Sequence, residues 1–103
     1  AVLDGDFSMV TPQGDVLTRA QVLAGVRDGH GARHVRIWIE EPALLWGSAS
    51  IVIARYQEWQ QEAADPKGRV STVVFERDGA TPNGLRWLSV HETWLGAARP
   101  GRR

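Results

Sequence analysis

Cysteine is absent from the 103-residue chain. That removes disulfides, thiolate zinc sites, iron–sulfur clusters and cysteine nucleophiles from consideration. Charge of one sign is also lacking, since 12 Lys+Arg balance 12 Asp+Glu. A neutral chain is not drawn strongly to a phosphate backbone or an anionic lipid surface, so neither nucleic acid nor membrane is expected as a partner. No apolar run approaches the ~20 residues that a membrane-spanning helix needs. No charged-then-apolar leader is visible, and a cytoplasmic location is the expectation. Neither a Gly-rich phosphate loop nor a G-x-S-x-G nucleophile motif occurs.

What is present is an apolar composition, 43% hydrophobic residues with five Trp. A chain of this size forms one domain and buries roughly 60–70% of the surface its unfolded form exposes. Asp6 to Thr11 reads as a short strand. Thr11-Pro12-Gln13-Gly14 then reads as a type I turn, with Pro12 presetting φ near −65°. Thr18-Arg19-Ala20-Gln21 fits a capping box, flanked by Leu17 and Val22 at the staple positions. Val22, Leu23 and Val26 continue an apolar stripe at helical spacing, and Gly29 suits a helix end. The spacing predicts a helix over 19–28.

After Gly31 the period changes to two. Strands are expected over roughly 34–46, 49–62, 69–77 and 85–96, with Pro42 marking a bulge or an edge. Asp78-Gly79 and Asn83-Gly84 bracket a hairpin loop. Short connectors between consecutive strands favour an antiparallel meander. A helix ahead of it makes the class α+β. Residues 97–103 form a polar tail with nothing to bury, expected to be flexible.

Neither parity of the last strand is cleanly polar. Leu85, Trp87, Ser89, His91, Thr93 and Leu95 fall on one, Arg86, Leu88, Val90, Glu92 and Trp94 on the other. The strand over 49–62 behaves likewise, with Ile51, Ile53 and Trp59 against Val52, Ala54 and Tyr56. A sheet with one wet face alternates, so cover on both faces is expected. A ten-residue helix spans only about 15 Å and cannot supply it. A second copy of the chain meeting the first through the sheet can, with Trp94, Val90 or Leu88 and residues of the long strand over 49–62 at the contact.

Ile39-Glu40-Glu41-Pro42 leading to Gly47, Ala49 with its Val/Ile run, and Leu85-Arg86-Trp87-Leu88-Ser89-Val90-His91-Glu92-Thr93 carry a resemblance. Together they make the chain similar to the SnoaL-like, ketosteroid-isomerase-like branch of the nuclear transport factor 2-like (NTF2-like) superfamily. The subset it looks like includes the association domain of calcium/calmodulin-dependent kinase. The resemblance covers about residues 2–96, giving a domain over 1–96. It implies a cone-shaped roll, a curved antiparallel sheet of about four long strands packed on a helix, with a hydrophobic pocket on the concave side. It also implies homodimers through the sheet. Family members begin with a helix before the position of Asp6-Phe7, where only Ala1–Asp4 stand, so that helix is expected to be missing or truncated.

Candidate chemistry follows. His91 is the candidate general base, histidine being the side chain best suited to proton transfer at neutral pH. Ser89 and Thr93 share its parity, and the resemblance turns that face into the cone with Trp38, Tyr56 and Trp59 nearby. These six residues are the expected ligand-binding set, for a small apolar ligand. Arg55 and Tyr56 point to opposite faces, and Arg55 is expected to pair with Glu58, Glu76 or Glu92. No metal and no cofactor is expected. His30 and His34 are spaced i, i+4, but Gly29 and Gly31 break the helix that spacing requires, and Asp4-Gly5-Asp6 lacks the following Glu of a calcium loop. The carboxylate base and Tyr/Asp donor pair of a ketosteroid isomerase find no matching positions. Three functions remain open: a small-molecule-binding domain, an isomerase-, dehydratase- or cyclase-type enzyme using His91, and an oligomerisation module.

Overall fold

The computed structural model describes residues 2–29, 36–61 and 65–95, with 26–29 described by backbone alone. The side chain of Val26, the His30/His34 pair and the tail over 97–103 lie outside the described residues. The elements run β1 Val2–Val10, β2 Val16–Thr18, α1 Arg19–Gly29, β3 Arg36–Gly47, β4 Ile51–Gln61, β5 Lys67–Arg77 and β6 Leu85–Trp94. They form one curved, unclosed sheet in the order β2-β1-β6-β5-β4-β3, with α1 against β1 and β2.

Local chemistry sets the N-terminal half. The Thr11–Gly14 turn closes through the Gly14 amide donating to the Thr11 carbonyl at 2.9 Å, and Gly14 holds a φ of +91° that favours glycine. β2 then pairs antiparallel with β1 and leads straight into α1. The capping box forms reciprocally. The Gln21 amide donates to Thr18 Oγ1 at 3.2 Å, and the Thr18 amide donates to Gln21 Oε1 at 2.8 Å.

The four long strands lie where period-two reading expects them, but the sheet is larger and mixed. β1 begins at Val2 rather than at Asp6 and pairs parallel with β6, placing Val2 beside Arg86 and Val10 beside His91. β3 is interrupted where Pro42 removes a donor. The register shifts between Glu40 and Ala43, with Glu41 at a φ of +53°.

A second irregularity decides the site. β5 and β6 run in register from Arg69↔Trp94 to Val74↔Ser89, and then Phe75 pairs with Trp87. Leu88 is the extra residue, and one extra residue turns the side chains beyond it to the other face. Trp87 therefore joins Val90 and Glu92 on the face that carries α1, here called the helix face. Ser89, His91 and Thr93 stay on the far face.

The core sits between α1, β1 and the middle of the sheet. Phe7, Val73 and Val90 are buried there, with Leu3, Met9, Val22, Tyr56, Phe75 and Trp87 packed around them. Phe75 and Trp87 meet edge to face, ring centroids 4.9 Å apart. Each fully buried apolar side chain of this kind contributes about 1.5–3 kcal/mol. Val90 is thus a core residue, not the exposed contact expected of it.

The far face has its own aromatic cluster. Trp59 is 1% exposed and stacks on Trp38 with centroids 6.5 Å apart, while its neighbour across the strand pair is Gly68. A Cβ at Gly68 would lie 2.5 Å from the Trp59 ring, so the indole occupies the space a side chain would take.

Candidate functional site

On the helix face the sheet and α1 leave a cavity of about 220 Å³ lined by Leu3, Phe7, Met9, Val22, Trp87 and Val90, with Tyr56, Glu58 and Glu92 at its polar end. β1 contributes the first three residues, α1 the Val22 methyls, and β4 and β6 the polar end. On β4, Tyr56 and Glu58 are two residues apart and therefore project to the same side.

The polar end is a connected network. Glu92 is 5% exposed and Ser71 fully buried. Arg69 donates from Nη1 to Glu92 Oε1 at 2.8 Å, and the Ser71 hydroxyl donates to Glu92 Oε2 at 3.3 Å. The Arg69 guanidinium lies 5.3 Å from the Trp94 ring centroid. Glu58 accepts a 2.7 Å hydrogen bond from Gln60 Nε2. Burial raises the Tyr56 pKa above its ordinary 10.0. The charge of Glu58 reinforces the rise, a hydrogen bond with Ser71 opposes it, and Glu92 and Arg69 add smaller opposing effects. The phenol is therefore a neutral hydrogen-bonding group at physiological pH.

The residues expected to form one site are divided between the two faces. Tyr56 lines the helix-face cavity. His91 and Thr93 line a separate depression of about 340 Å³ with Val70 and Thr72, and both are exposed. Trp38 and Trp59 stack on each other on the far face. Ser89 shares that face with His91, so the polar stripe looks away from α1. By strand parity Ser89, His91 and Thr93 share one face, since β5 and β6 stay in register from Arg69 to Val74. Tyr56 is parted from Trp59 because the two stand three residues apart on β4 and project to opposite faces. Glu92, assigned by the same parity to the other side, is the buried carboxylate of the cavity. Its cation is Arg69, its diagonal cross-strand neighbour; Arg55 is exposed.

Sequence reasoning missed Glu58, Glu92 and Arg69 as a group. One signal was available: Glu92 stands between the apolar Val90 and Trp94 on its parity, where a carboxylate needs a partner.

The "Sucrose-6-phosphate phosphohydrolase C-terminal" family matches residues 1–96, a span that takes in every described residue. The chain belongs to this family. Its fold is that of the NTF2-like superfamily. An NTF-2 like protein of unknown function from Pseudomonas aeruginosa is 38% identical with a TM-score of 0.80, over 91% of this chain and 74% of that one. The CaMKII hub of S. rosetta superposes with a TM-score of 0.77 over 91% of this chain and 77% of its own; at 16% identity that likeness concerns the fold alone. Sucrose-phosphatase 2 of Nicotiana tabacum is 25% identical over 67 residues, 64% of this chain. This member of the phosphohydrolase C-terminal family spans only 16% of the tobacco protein. Among the described residues no helix is long and apolar enough to cross a membrane.

Proposed function

We propose that this domain binds a small, largely apolar molecule in the helix-face cavity, oriented by Tyr56, Glu58 and Glu92. The observation that carries the reading is the buried Glu92 carboxylate facing an apolar cavity. Holding such a group out of water costs several kcal/mol unless it is bonded. Arg69 and Ser71 satisfy part of its acceptor capacity, and a carboxylate offers about four lone-pair sites. Apolar walls with a few convergent polar groups are the composition of a ligand site. The volume suits a compact ligand rather than a drug-sized one, for which roughly 300–1,000 Å³ is usual. Hydrolysis is not assigned to this segment, because it matches so small a share of the tobacco phosphatase. His91, the base of the enzyme reading, has two threonines and a valine around its depression, and no carboxylate among these lining residues to stabilise an imidazolium.

Isothermal titration calorimetry with 1-adamantanol, a rigid apolar alcohol, tests the proposal. Saturable 1:1 binding is expected. Val22→Phe, which places a ring in the cavity, abolishes it while the thermal transition is retained. Binding that survives Val22→Phe unchanged would overturn the assignment.

A second reading, self-association through the sheet, is supported by apolar side chains left in water along β3. Ile37 is 59% exposed, Leu44 69% and Trp46 55%. The likeness to a hub fold is consistent with it.

A further inference from the structure

We propose that the helix-face cavity selects a cationic ligand, an amine carried on a compact apolar body, over its neutral and anionic isosteres. This rests on the small-molecule reading above and goes further by naming the charge of the ligand. Two carboxylates, Glu58 and Glu92, line the cavity, and no cationic side chain does so among the described residues. The nearest guanidinium, Arg69, is engaged by Glu92 and lies against the Trp94 ring. Glu58 and Arg69 sit opposite each other across β4 and β5. The three groups together leave one negative charge in excess at the polar end.

Hydrogen-bond capacity points the same way. Glu58 is bonded by Gln60 and Glu92 by Arg69 and Ser71, and both carboxylates retain lone pairs. The Tyr56 oxygen adds a further acceptor. An ammonium group brings three donors and no acceptor, which matches an acceptor-rich end. A carboxylate ligand would face two like charges there. The apolar walls, Phe7, Met9, Val22, Trp87 and Val90, take up the body of the molecule, and Trp87 offers an aromatic ring to a cation. The His91 depression has no such charge asymmetry: its lining is Val70, Thr72, His91 and Thr93.

Three probes of one shape separate charge from shape: 1-aminoadamantane, 1-adamantanol and adamantane-1-carboxylate, titrated calorimetrically at pH 7 and low salt. The amine is expected to bind about tenfold tighter than the alcohol, the magnitude of one charge-assisted hydrogen bond, with the carboxylate weakest. Glu58→Gln is expected to reduce the amine-to-alcohol ratio severalfold. Asp15→Asn, which removes an exposed carboxylate from the β1–β2 turn, leaves that ratio unchanged and controls for net charge. Thermal melts of each variant establish that it is folded. Equal affinities for amine and alcohol, or an equal loss of preference in Asp15→Asn, would overturn the charge inference while leaving the cavity reading intact. Absence of binding by all three probes would overturn both.

Discussion

Tyr56 is the single tyrosine of the chain, so its ionisation is directly readable by tyrosinate absorbance. Burial first, and then the Glu58 charge, push its pKa upward. The titration midpoint is expected above 10.0 in the folded protein, and Glu58→Gln is expected to lower it. A midpoint at the ordinary value would contradict the burial of the phenol. The sign for stability follows by linkage. Because the folded state holds this proton more tightly than the unfolded chain, the contribution is complete below the unfolded pKa. It is lost as pH rises from about 10 through the folded value, and Tyr56→Phe flattens that alkaline decline. Gly68 makes a second residue-scale prediction. A methyl group there meets the Trp59 ring, and Trp59 is held by Trp38 on its other side, so Gly68→Ala is expected to destabilise by about 1–3 kcal/mol in urea denaturation. A variant as stable as the parent would show that the ring moves freely.

At the scale of elements, local signals translated well. The Thr18–Gln21 capping box forms as read from four residues, and Thr18→Ala is expected to cost about 0.5–2 kcal/mol by thermal or urea unfolding. An unchanged transition would show that the cap contributes nothing. The four long strands fall within about two residues of their expected bounds because β-branched and aromatic runs ended by Asp-Gly, Asn-Gly and Pro signals are local information. Pro42 correctly marked the break in β3. Two features were not legible. The parallel pairing of β1 with β6 joins segments some eighty residues apart, and nothing in Val2–Val10 names its partner. The bulge at Leu88 has no Gly or Pro to announce it. Its consequence is large, since a face read by counting in twos from Trp87 to Thr93 mixes both sides of the sheet. Tyr56 and Trp59 fall on opposite faces because they stand three residues apart on β4, which pairs with β5 without a shift. Ser89, His91 and Thr93 share a face because β6 is in register with β5 over that stretch, and parity alone does not say which face carries α1.

On the scale of the whole molecule, α1 packs on β1 and β2 at one end of the sheet, away from β3 at the other. The β3 end keeps Ile37, Ile39, Leu44, Leu45 and Trp46 exposed. Contiguous apolar surface beyond a few hundred Å² is unusual for a monomer. β3 is also an edge strand, although Glu41 and Pro42 interrupt its ladder and discourage open-ended pairing. A closed dimer is therefore expected, with β3 and β4 residues at the contact in place of the buried Val90. Sedimentation equilibrium at low micromolar concentration should give twice the 11.4 kDa chain mass, and Leu44→Glu should shift it toward the monomer. A clean monomer for the parent chain would contradict this.

The central claim is that the ligand site is on the helix face, at Tyr56, and not on the far face, at His91. Side-chain NMR decides between them in one titration, because the only tyrosine marks one face and His91, assigned through His91→Gln, marks the other. With 1-adamantanol added to saturation, the Tyr56 ring signals are predicted to shift along a saturable curve while the His91 imidazole signals stay in place. Saturable movement of His91 with Tyr56 unmoved would contradict the account.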